Sequence, residues 1–473
     1  MLTLADVLEA LTGMRPAGGQ QIVTDASIDS RQSIPGSMFI ALPGERVDGH
    51  EFVGAAFERG AHLALIERDL SPQFKVLDLR VKLSQPDLDK FDGPFCLLVS
   101  NSLQALQQVA RYWRRKLNLR VIGITGSVGK STTKEVVASV LEQRYRTLKN
   151  PGNMNNEIGL PLSILDLGPG HEVAVFEMGF YVPGEIALLC DLALPQVGVI
   201  TNIGTVHAER AGTQEAIARG KAELVQSLPA APEGVAILNY DDPWVREMAG
   251  QTSAQVLFYG LDPQADLWAE EVESMGLDGI RFRLHFQEES IYLRVPLIGR
   301  HSVHTVLRAA AVGLVEGLTW QEIVSGLRAG HAQLRLVAVR TERGALLLDD
   351  TYNASPESTL AALNLLEDLE GRRVAVLGDM LELGFYEAHG HEIVGVRAAE
   401  VVDELVTVGE RGRMIAMAAR STGFDRNKIT ELENSQEAIE YLRPKLDEKD
   451  VVLVKGSHGM RMDRIVAALE YRE

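Results

Sequence analysis

The chain has 473 residues, of which 46% are hydrophobic and 24% are charged. This length exceeds one ordinary core, and this composition is typical of folded α/β proteins, so a disordered or fibrous protein is excluded. Lys and Arg number 47 against 65 Asp and Glu, which gives a formal net charge of −18. A general affinity for nucleic acid or anionic lipid is thereby excluded, and anionic ligands must be held by local features of the fold.

The two cysteines and the N-terminal segment bear on the compartment. Cys96 and Cys190 lie far apart in apolar runs, which predicts buried thiols and gives no sign of an oxidising compartment. The first thirteen residues have the pattern of an amphipathic helix and lack the basic flank of a signal peptide. No apolar run is long enough to span a membrane. We therefore expect a cytoplasmic protein without membrane insertion.

The predicted elements follow one another in three sets. Residues 1–100 mix short apolar runs with turn-rich segments, which indicates a small α/β domain. The helical pattern from residue 102 opens a central domain over 101–336, where strand and helix patterns alternate as in a parallel sheet. The alternation restarts over 337–473, which predicts a C-terminal, doubly wound Rossmann-like domain. The predicted fold is thus α/β in three domains.

The strongest chemical signal is a glycine-rich turn between a strand, "RVIGIT", and a helix that begins near "KSTTKEVV". Such a turn points backbone N–H groups and the helix N-terminus at phosphates, while a lysine adds a cation and a serine a hydroxyl for Mg²⁺. The spacing is not the strict P-loop pattern, because Ile124 stands at the place of its first glycine. An ordinary strand-to-helix turn is the alternative. The predicted nucleotide contacts are Thr125, Gly126, Ser127, Val128, Gly129, Lys130, Ser131 and Thr132.

The sequence "TGSVGKST" resembles the ATP loop of the Mur ligase and folylpolyglutamate synthetase superfamily. Further segments, in order over nearly the whole chain, resemble the Mur ligases that add D-alanyl-D-alanine. They are "DSRQSIPGSMFIALPGERVDGH", "NPGNMNNEIGLPLSIL", "FEMGFYVPGEI", "TNIGTVHAERAG", "GKAEL", "DDTYNASPES" and "LGDMLELG". Six or more ordered segments are far more specific than one glycine loop.

The resemblance implies an ATP-dependent ligase of peptidoglycan precursor synthesis. Such an enzyme joins D-Ala-D-Ala to UDP-MurNAc-tripeptide through an acyl phosphate and releases ADP and phosphate. The family uses two Mg²⁺ ions, because charge accumulates on phosphoryl oxygens during the transfer. A monomer that binds these small molecules is expected.

The family pattern also assigns the metal ligands. Ser131 and Glu177 match the ligands of the first Mg²⁺, and His207 matches a ligand of the second. Lys221 matches a lysine that is carbamylated by CO₂ and supports the second ion; this chain has Gly220-Lys221-Ala222-Glu223 where the family more often has Ala-Lys-Gly-Glu. Read alone, these residues could be a solvated strand-end acid, a structural histidine and a surface lysine.

Other assignments concern catalysis and the nucleotide. Lys130, His207, Lys221, Arg335 and Asp350 are the predicted catalytic residues. Arg335 matches a family arginine that reaches the nucleotide phosphates, although a plain interdomain salt bridge is an equal alternative. Asn353, in the third domain, and His304, in a segment where the family carries asparagines, are predicted nucleotide contacts.

The remaining predicted residues bind substrates. The first-domain matches are expected to receive the uridine diphosphate, and those before the last helix the carboxylate of the dipeptide. In the latter segment His458 stands where the family usually has arginine. The full set is Ser30, Arg31, Asp48, Gly49, His50, Asn153, Asn155, Asn156, Lys455 and Ser457.

Three alternatives remain open. A sister ligase that adds the third residue to UDP-MurNAc-dipeptide typically carries a D-N-P-R stretch, which is absent here. A folylpolyglutamate synthetase would leave the first domain without a role. A P-loop NTPase acting as a regulatory module would turn over ATP without depending on a sugar nucleotide.

Overall fold

The computed structural model describes residues 1–44, 47–81, 93–205, 208–329 and 337–471. The chain divides into two compact units. The first comprises Met1–Gly123, Tyr145–Gly179 and Glu185–Gln196, and the second comprises Ile124–Arg144, Phe180–Gly184 and Val197–Glu473. Within the described ranges, no helix combines the length and the apolar character needed to cross a bilayer.

The first unit begins with a five-stranded parallel sheet in the order β1-β2-β3-β5-β4. Helices Leu4–Thr12 and Ser102–Lys116 share a core with one face of this sheet, and helix Val53–Glu58 shares a core with the other. The helix predicted to open the second domain therefore packs on the N-terminal sheet. The strands are β1 Ala26–Ser27, β2 Met38–Ile40, β3 Leu63–Ile66, β4 Val76–Asp78 and β5 Phe95–Leu98.

The rest of the first unit contains three strands in the order β6-β8-β7 and helices Gly159–Leu165 and Glu185–Ala193. β8 is buried along its whole length, as expected for a strand covered on both faces. Cys96 and Cys190 are buried and neither forms a disulfide, as predicted. The strands are β6 Arg120–Thr125, whose last two residues belong to the second unit, β7 Thr147–Lys149 and β8 Val173–Glu177.

The central part of the second unit has six strands in the order β14-β13-β12-β11-β10-β9. β9 to β12 are parallel, whereas β12, β13 and β14 form an antiparallel edge that departs from the expected parallel sheet. Along β13, Ile280, Phe282 and Leu284 are buried and alternate with more exposed residues, which is the pattern of a sheet with one wet face. The strands are β9 Val197–Ile200, β10 Val235–Asn239, β11 Gln255–Gly260, β12 Leu267–Ser274, β13 Ile280–Phe286 and β14 Glu289–Val295. The helices are Lys130–Leu141, Ala208–Ala211, Gln214–Gln226, Pro243–Glu247, Ser302–Val315 and Trp320–Arg328.

The last part of the second unit is a six-stranded sheet in the order β15-β16-β20-β17-β18-β19. Only β15 is antiparallel to its neighbour, and helices cover both faces, which confirms the predicted Rossmann-like domain. Val374 and Val376 face one core while Ala375 and Leu377 face the other. The strands are β15 Val337–Arg340, β16 Leu346–Asp350, β17 Arg372–Gly378, β18 Glu404–Val408, β19 Ile429–Leu432 and β20 Asp450–Lys455. The helices are Pro356–Glu367, Glu387–Val401, Gly412–Ser421, Ser435–Leu442 and Asp463–Leu469.

Candidate active site

The glycine-rich turn links β6 to helix Lys130–Leu141, as predicted. Gly126 has φ of 147° and packs so closely on Thr201 that a Cβ there would lie 1.8 Å from the threonine Oγ1. Only glycine fits this position, because an L side chain would meet both strain and a clash. The Lys130 ammonium donates to the carbonyl oxygens of Gly126, at 2.9 Å, and Ser127, at 3.1 Å. The lysine therefore folds back over its own loop.

Asn202 fixes the shape of this loop, although the sequence interpretation gave it no role. Its backbone oxygen accepts from the Ser127 N–H at 2.9 Å, and its side-chain oxygen accepts from the Val128 N–H at 2.9 Å. The Ser127 hydroxyl in turn accepts from the Gly204 N–H at 2.8 Å. The loop after β9 thus holds the phosphate loop in place.

Lys221 lies on helix Gln214–Gln226 and is completely buried. Its amine donates to the Gly126 carbonyl at 3.0 Å and lies 4.7 Å from the centre of the Phe180 ring. Burial lowers the pKa of this amine well below its usual value, and the charge of Lys130 lowers it further. Lys221 therefore has the environment of a neutral, nucleophilic amine instead of a solvated cation.

Gly220 precedes Lys221 at a position where the family more often has alanine, and the local packing accounts for this difference. A Cβ at this position would lie 2.0 Å from the Phe180 ring, so the ring occupies the space that a side chain would need. Ala222, two positions later, is buried without such a conflict. The packing of Phe180 therefore requires glycine at position 220.

In the first unit, Glu177 ends β8 and is only 2% exposed. Asn150 donates to the Glu177 backbone oxygen at 3.1 Å and accepts from its N–H at 2.9 Å, and the Asn155 amide donates to the carboxylate at 2.9 Å. Asn156 instead accepts from the first N–H groups of the following helix, and the Asn153 carbonyl accepts from the Asn155 N–H. Two asparagines therefore orient Glu177, and one of them, Asn150, was not predicted.

A cleft of about 370 Å³ adjoins the phosphate loop in the second unit. Loop residues Ser127, Val128, Gly129 and Thr132 line it together with residues of the Rossmann-like domain. The latter include Asp350, predicted to be catalytic, Asn353, a predicted nucleotide contact, and Lys455, a predicted substrate contact, so all three line the same cleft as the predicted phosphate loop.

Lys455 is 2% exposed, and its amine donates to Asp350 at 2.7 Å and to the Asn353 carbonyl at 2.9 Å. The Ser457 hydroxyl accepts from the Leu381 N–H at 2.8 Å. Lys455 is thus neutralised by a carboxylate of its own domain. These bonds give no support to the prediction that Lys455 and Ser457 receive the carboxylate of the dipeptide, and they make Lys455 a partner of Asp350.

His304 lines the same cleft, with its Nε2 at 2.8 Å from the Asp241 carboxylate. Burial alone would raise the pKa of Asp241, but hydrogen bonds from His304 and from the Leu261 and Asp262 N–H groups outweigh it and hold the pKa below its usual value. His304 is therefore a positioned side chain of the cleft. Helix Ser302–Val315 also contributes Thr305 and Arg308 to the lining, and neither was predicted.

In the N-terminal domain, Asp29 caps a short 3₁₀ turn at Ser30–Gln32 and forms a bidentate ion pair with Arg31, at 2.9 and 2.7 Å. The hydrogen bonds from Arg31 hold the pKa of Asp29 at about 2. Ser30 is buried while the Arg31 side chain is 81% exposed. Of the two predicted substrate residues Ser30 and Arg31, only Arg31 therefore exposes its side chain to solvent.

The second N-terminal motif is a turn capped by Asp48, which accepts from the His50 N–H at 2.9 Å just after Gly49. The His50 ring lies 2.6 Å from the Asp48 carboxylate through Nδ1, and its Nε2 accepts from the Glu67 N–H at 2.8 Å. Both ring nitrogens of His50 are thus engaged within the domain. The structure therefore gives no support to a substrate contact through the His50 ring. Arg68 forms an ion pair with Asp48, with 3.0 Å between the charged atoms.

His207 and Arg335, both predicted to be catalytic, lie outside the described residues. Among the described residues no group of three or more His, Cys, Asp or Glu has a metal-binding arrangement. The expected donors within the described chain are the Ser131 hydroxyl, the Glu177 carboxylate and a carbamate on Lys221. These are oxygen donors of the kind that Mg²⁺ prefers, so the residue types fit the ion.

Comparisons with known proteins give a consistent result along the chain. Three domain families match: "Mur ligase family, catalytic domain" over residues 23–114, "Mur ligase middle domain" over 124–313 and "Mur ligase, glutamate ligase domain" over 334–458. The UDP-N-acetylmuramoyl-tripeptide–D-alanyl-D-alanine ligase of Bacillus subtilis (strain 168) is 34% identical and is aligned over 99% of this chain and 98% of its own. The ligase of that name from Escherichia coli (strain K12) is 33% identical, with coverage of 99% and 98%.

Solved structures agree with these relatives. A crystal structure of MurF from Acinetobacter baumannii superposes with a TM-score of 0.84 at 30% identity and covers 99% of both chains. MurF from Thermotoga maritima in complex with ADP superposes with a TM-score of 0.78 at 28% identity, covering 94% of this chain and 97% of its own.

Proposed function

The chain belongs to the Mur ligase family, and from this premise we propose that it joins D-Ala-D-Ala to UDP-MurNAc-tripeptide at the expense of ATP. The observation that carries the proposal is similarity over nearly the whole chain to UDP-N-acetylmuramoyl-tripeptide–D-alanyl-D-alanine ligases, combined with a phosphate loop that lines a cleft together with Asp350 and Asn353. The products are UDP-MurNAc-pentapeptide, ADP and phosphate. The reaction belongs to peptidoglycan precursor synthesis.

In the proposed reaction, the terminal carboxylate of the tripeptide attacks the γ-phosphorus of ATP and ADP leaves. The amine of D-Ala-D-Ala then attacks the acyl carbon, phosphate leaves, and the amine loses a proton. The phosphate loop binds the nucleotide through its backbone N–H groups. Lys130 exchanges the carbonyl oxygens of Gly126 and Ser127 for phosphate oxygens, which are stronger acceptors for a cation.

Negative charge accumulates on the phosphoryl group during the transfer, and bound Mg²⁺ would neutralise it. We assign the first ion to Ser131 and Glu177, the latter oriented by Asn155. We assign the second to His207 and to a carbamate on Lys221. The burial of Lys221 and the nearby charge of Lys130 support this modification, because both favour the neutral amine, which is the form that reacts with CO₂.

The third domain completes the nucleotide site in this proposal. Asp350 and Asn353 face the cleft, and the ion pair with Lys455 holds Asp350 in one position. Arg31, exposed beside Asp29, contributes a cation for the uridine diphosphate. A monomer in the cytoplasm stays our expectation, since all the proposed substrates are small water-soluble molecules.

The proposal is tested by release of inorganic phosphate from ATP. The purified protein is supplied with UDP-MurNAc-tripeptide, with D-Ala-D-Ala, with both or with neither. Sustained release should require both, because the acyl phosphate needs one substrate to form and the other to resolve. Equal release without any sugar nucleotide would overturn the proposal in favour of a plain NTPase.

A further inference from the structure

Arg308 is a buried cation that the proposed mechanism does not use. It lies in the middle of helix Ser302–Val315 and is 4% exposed. Within the described chain, its guanidinium forms no ion pair with Asp or Glu, and its Nε has no hydrogen-bond partner. Buried charges in proteins are normally paired, because an unpaired one loses its hydration without compensation. Arg308 therefore has no anionic partner among the residues that the structure describes.

The contacts that Arg308 does make are neutral. One Nη donates to the Thr305 hydroxyl at 2.9 Å, and the guanidinium lies 5.8 Å from the centre of the Tyr259 ring. Tyr259 itself donates its hydroxyl proton to backbone carbonyls, so it supplies no negative charge. These contacts orient the planar guanidinium and leave its charge uncompensated.

The guanidinium lies at the phosphate loop. A Cβ on Gly129 would be 3.3 Å from Nη2 of Arg308, and both residues line the same cleft. Gly129 directly precedes helix Lys130–Leu141, whose first N–H groups and positive dipole end favour anions. Two independent sources of positive potential therefore converge on one wall of the cleft.

We propose that Arg308 binds a phosphate group of the nucleotide, as a second cation beside the glycine loop that complements Lys130. This inference rests on the proposed function for its ligand, a nucleoside di- or triphosphate. A planar guanidinium can offer two parallel N–H donors to a phosphate, which a lysine cannot. The Nε that lacks a partner gains one when the phosphate is bound.

The test is nucleotide binding by the full-length protein. ADP affinity is measured by calorimetry for wild type, Arg308→Met and Arg308→Lys, and adenosine affinity by competition against a fluorescent ADP analogue. Loss of a charge-assisted contact should weaken ADP binding by about 10- to 100-fold in Arg308→Met, with partial recovery in Arg308→Lys. Adenosine, which has no phosphate, should bind all three proteins alike.

Arg300→Met is the matched control, because Arg300 lies just before the same helix, 3.9 Å from Asp368, and does not line the cleft. It removes an equal charge and should leave ADP affinity within about twofold. Thermal unfolding without nucleotide shows whether each variant is folded. If Arg308→Met does not fold, the ADP affinity of Arg308→Lys is compared with that of wild type instead.

Unchanged ADP affinity in folded Arg308 variants would overturn the inference and leave Arg308 a structural partner of Tyr259. An equal loss for ADP and adenosine would also overturn it, since the residue would then only shape the cleft. Failure of the wild-type protein to bind ADP would instead contradict the proposed function, so the two failures are distinguishable.

Discussion

Lys221 is the residue at which packing, protonation and the proposed chemistry meet. Three substitutions separate its roles. Lys221→Ala removes the amine and opens space, Lys221→Met removes the amine but keeps most of the volume, and Lys221→Arg introduces a cation that does not form a carbamate. If a carbamate on Lys221 supports catalysis, all three variants lose activity, but only the alanine variant has room for a replacement carboxylate.

Three quantities set the expected size of the effects at Lys221: the fraction of neutral amine, the loss of rate and the loss of stability. An ordinary lysine is neutral in only about one molecule in a thousand near pH 7.4, and each unit by which its pKa falls raises that fraction about tenfold. The lowered pKa of the buried Lys221 amine therefore favours the neutral form that the proposed reaction with CO₂ requires. Loss of one fixed transition-state charge partner costs about 10²- to 10³-fold in rate. Lys221→Ala also removes about three buried methylenes, worth about 2–3 kcal/mol of stability at about 0.8 kcal/mol each.

The assay is amide formation at saturating substrates, with and without acetate or formate in the buffer. Lys221→Ala should recover part of its activity when a short carboxylic acid is added, whereas Lys221→Met and Lys221→Arg should not. Thermal unfolding separates the packing loss of the alanine variant from the catalytic loss. Wild-type activity in folded Lys221→Met would refute the reasoning, because that variant has neither an amine nor a carbamate.

Three further predictions test the loop, a packing contact and a buried histidine. Lys130→Met should lower turnover by about 10²- to 10³-fold while the protein stays folded, and a folded variant that keeps more than a third of wild-type activity would contradict the phosphate-loop assignment. Gly220→Ala should lower the free energy of unfolding in urea by about 1–3 kcal/mol, because its Cβ meets the Phe180 ring. The control Gly250→Ala, whose Cβ would have nothing within 4 Å, should leave that free energy unchanged. Equal losses in the two variants would contradict the packing argument. His391 is buried, accepts from a backbone N–H, and has a pKa lowered by burial, so stability is lost as pH falls from about 6.5 towards that lowered pKa. The urea midpoint of His391→Gln should fall less than that of wild type between pH 7.5 and pH 5, and parallel curves would show that His391 does not titrate.

The local sequence pattern is sufficient to predict features that lie within one short stretch of the chain. The strand, glycine turn and helix around Lys130 could be predicted because each is encoded by consecutive residues. The Rossmann-like domain was predictable for the same reason, since its strands read as continuous apolar runs. The antiparallel edge β12–β14 was not recognised, although the alternation along β13 carries its signal.

Features that depend on distant residues could not be read from the sequence. The pairing of Lys455 with Asp350 joins positions 105 residues apart, and the hydrogen bond from the Val128 N–H to the Asn202 side chain joins positions 74 residues apart. Arg308 belongs to an alanine-rich helix that gives it no sequence signal, and only the tertiary fold buries it beside Gly129. Chain contacts of this kind are set by the tertiary fold, and no periodicity reveals them.

Product analysis identifies directly which amine the enzyme joins to which acceptor. The protein is supplied with ATP, one of UDP-MurNAc-tripeptide or UDP-MurNAc-dipeptide, and one of D-Ala-D-Ala, D-Ala, L-Lys or meso-diaminopimelate. The new amide is then identified by mass spectrometry. We expect UDP-MurNAc-pentapeptide, formed from the tripeptide and D-Ala-D-Ala, as the preferred product. Preferred addition of a single diamino acid to the dipeptide acceptor would contradict this expectation and identify the sister ligase instead.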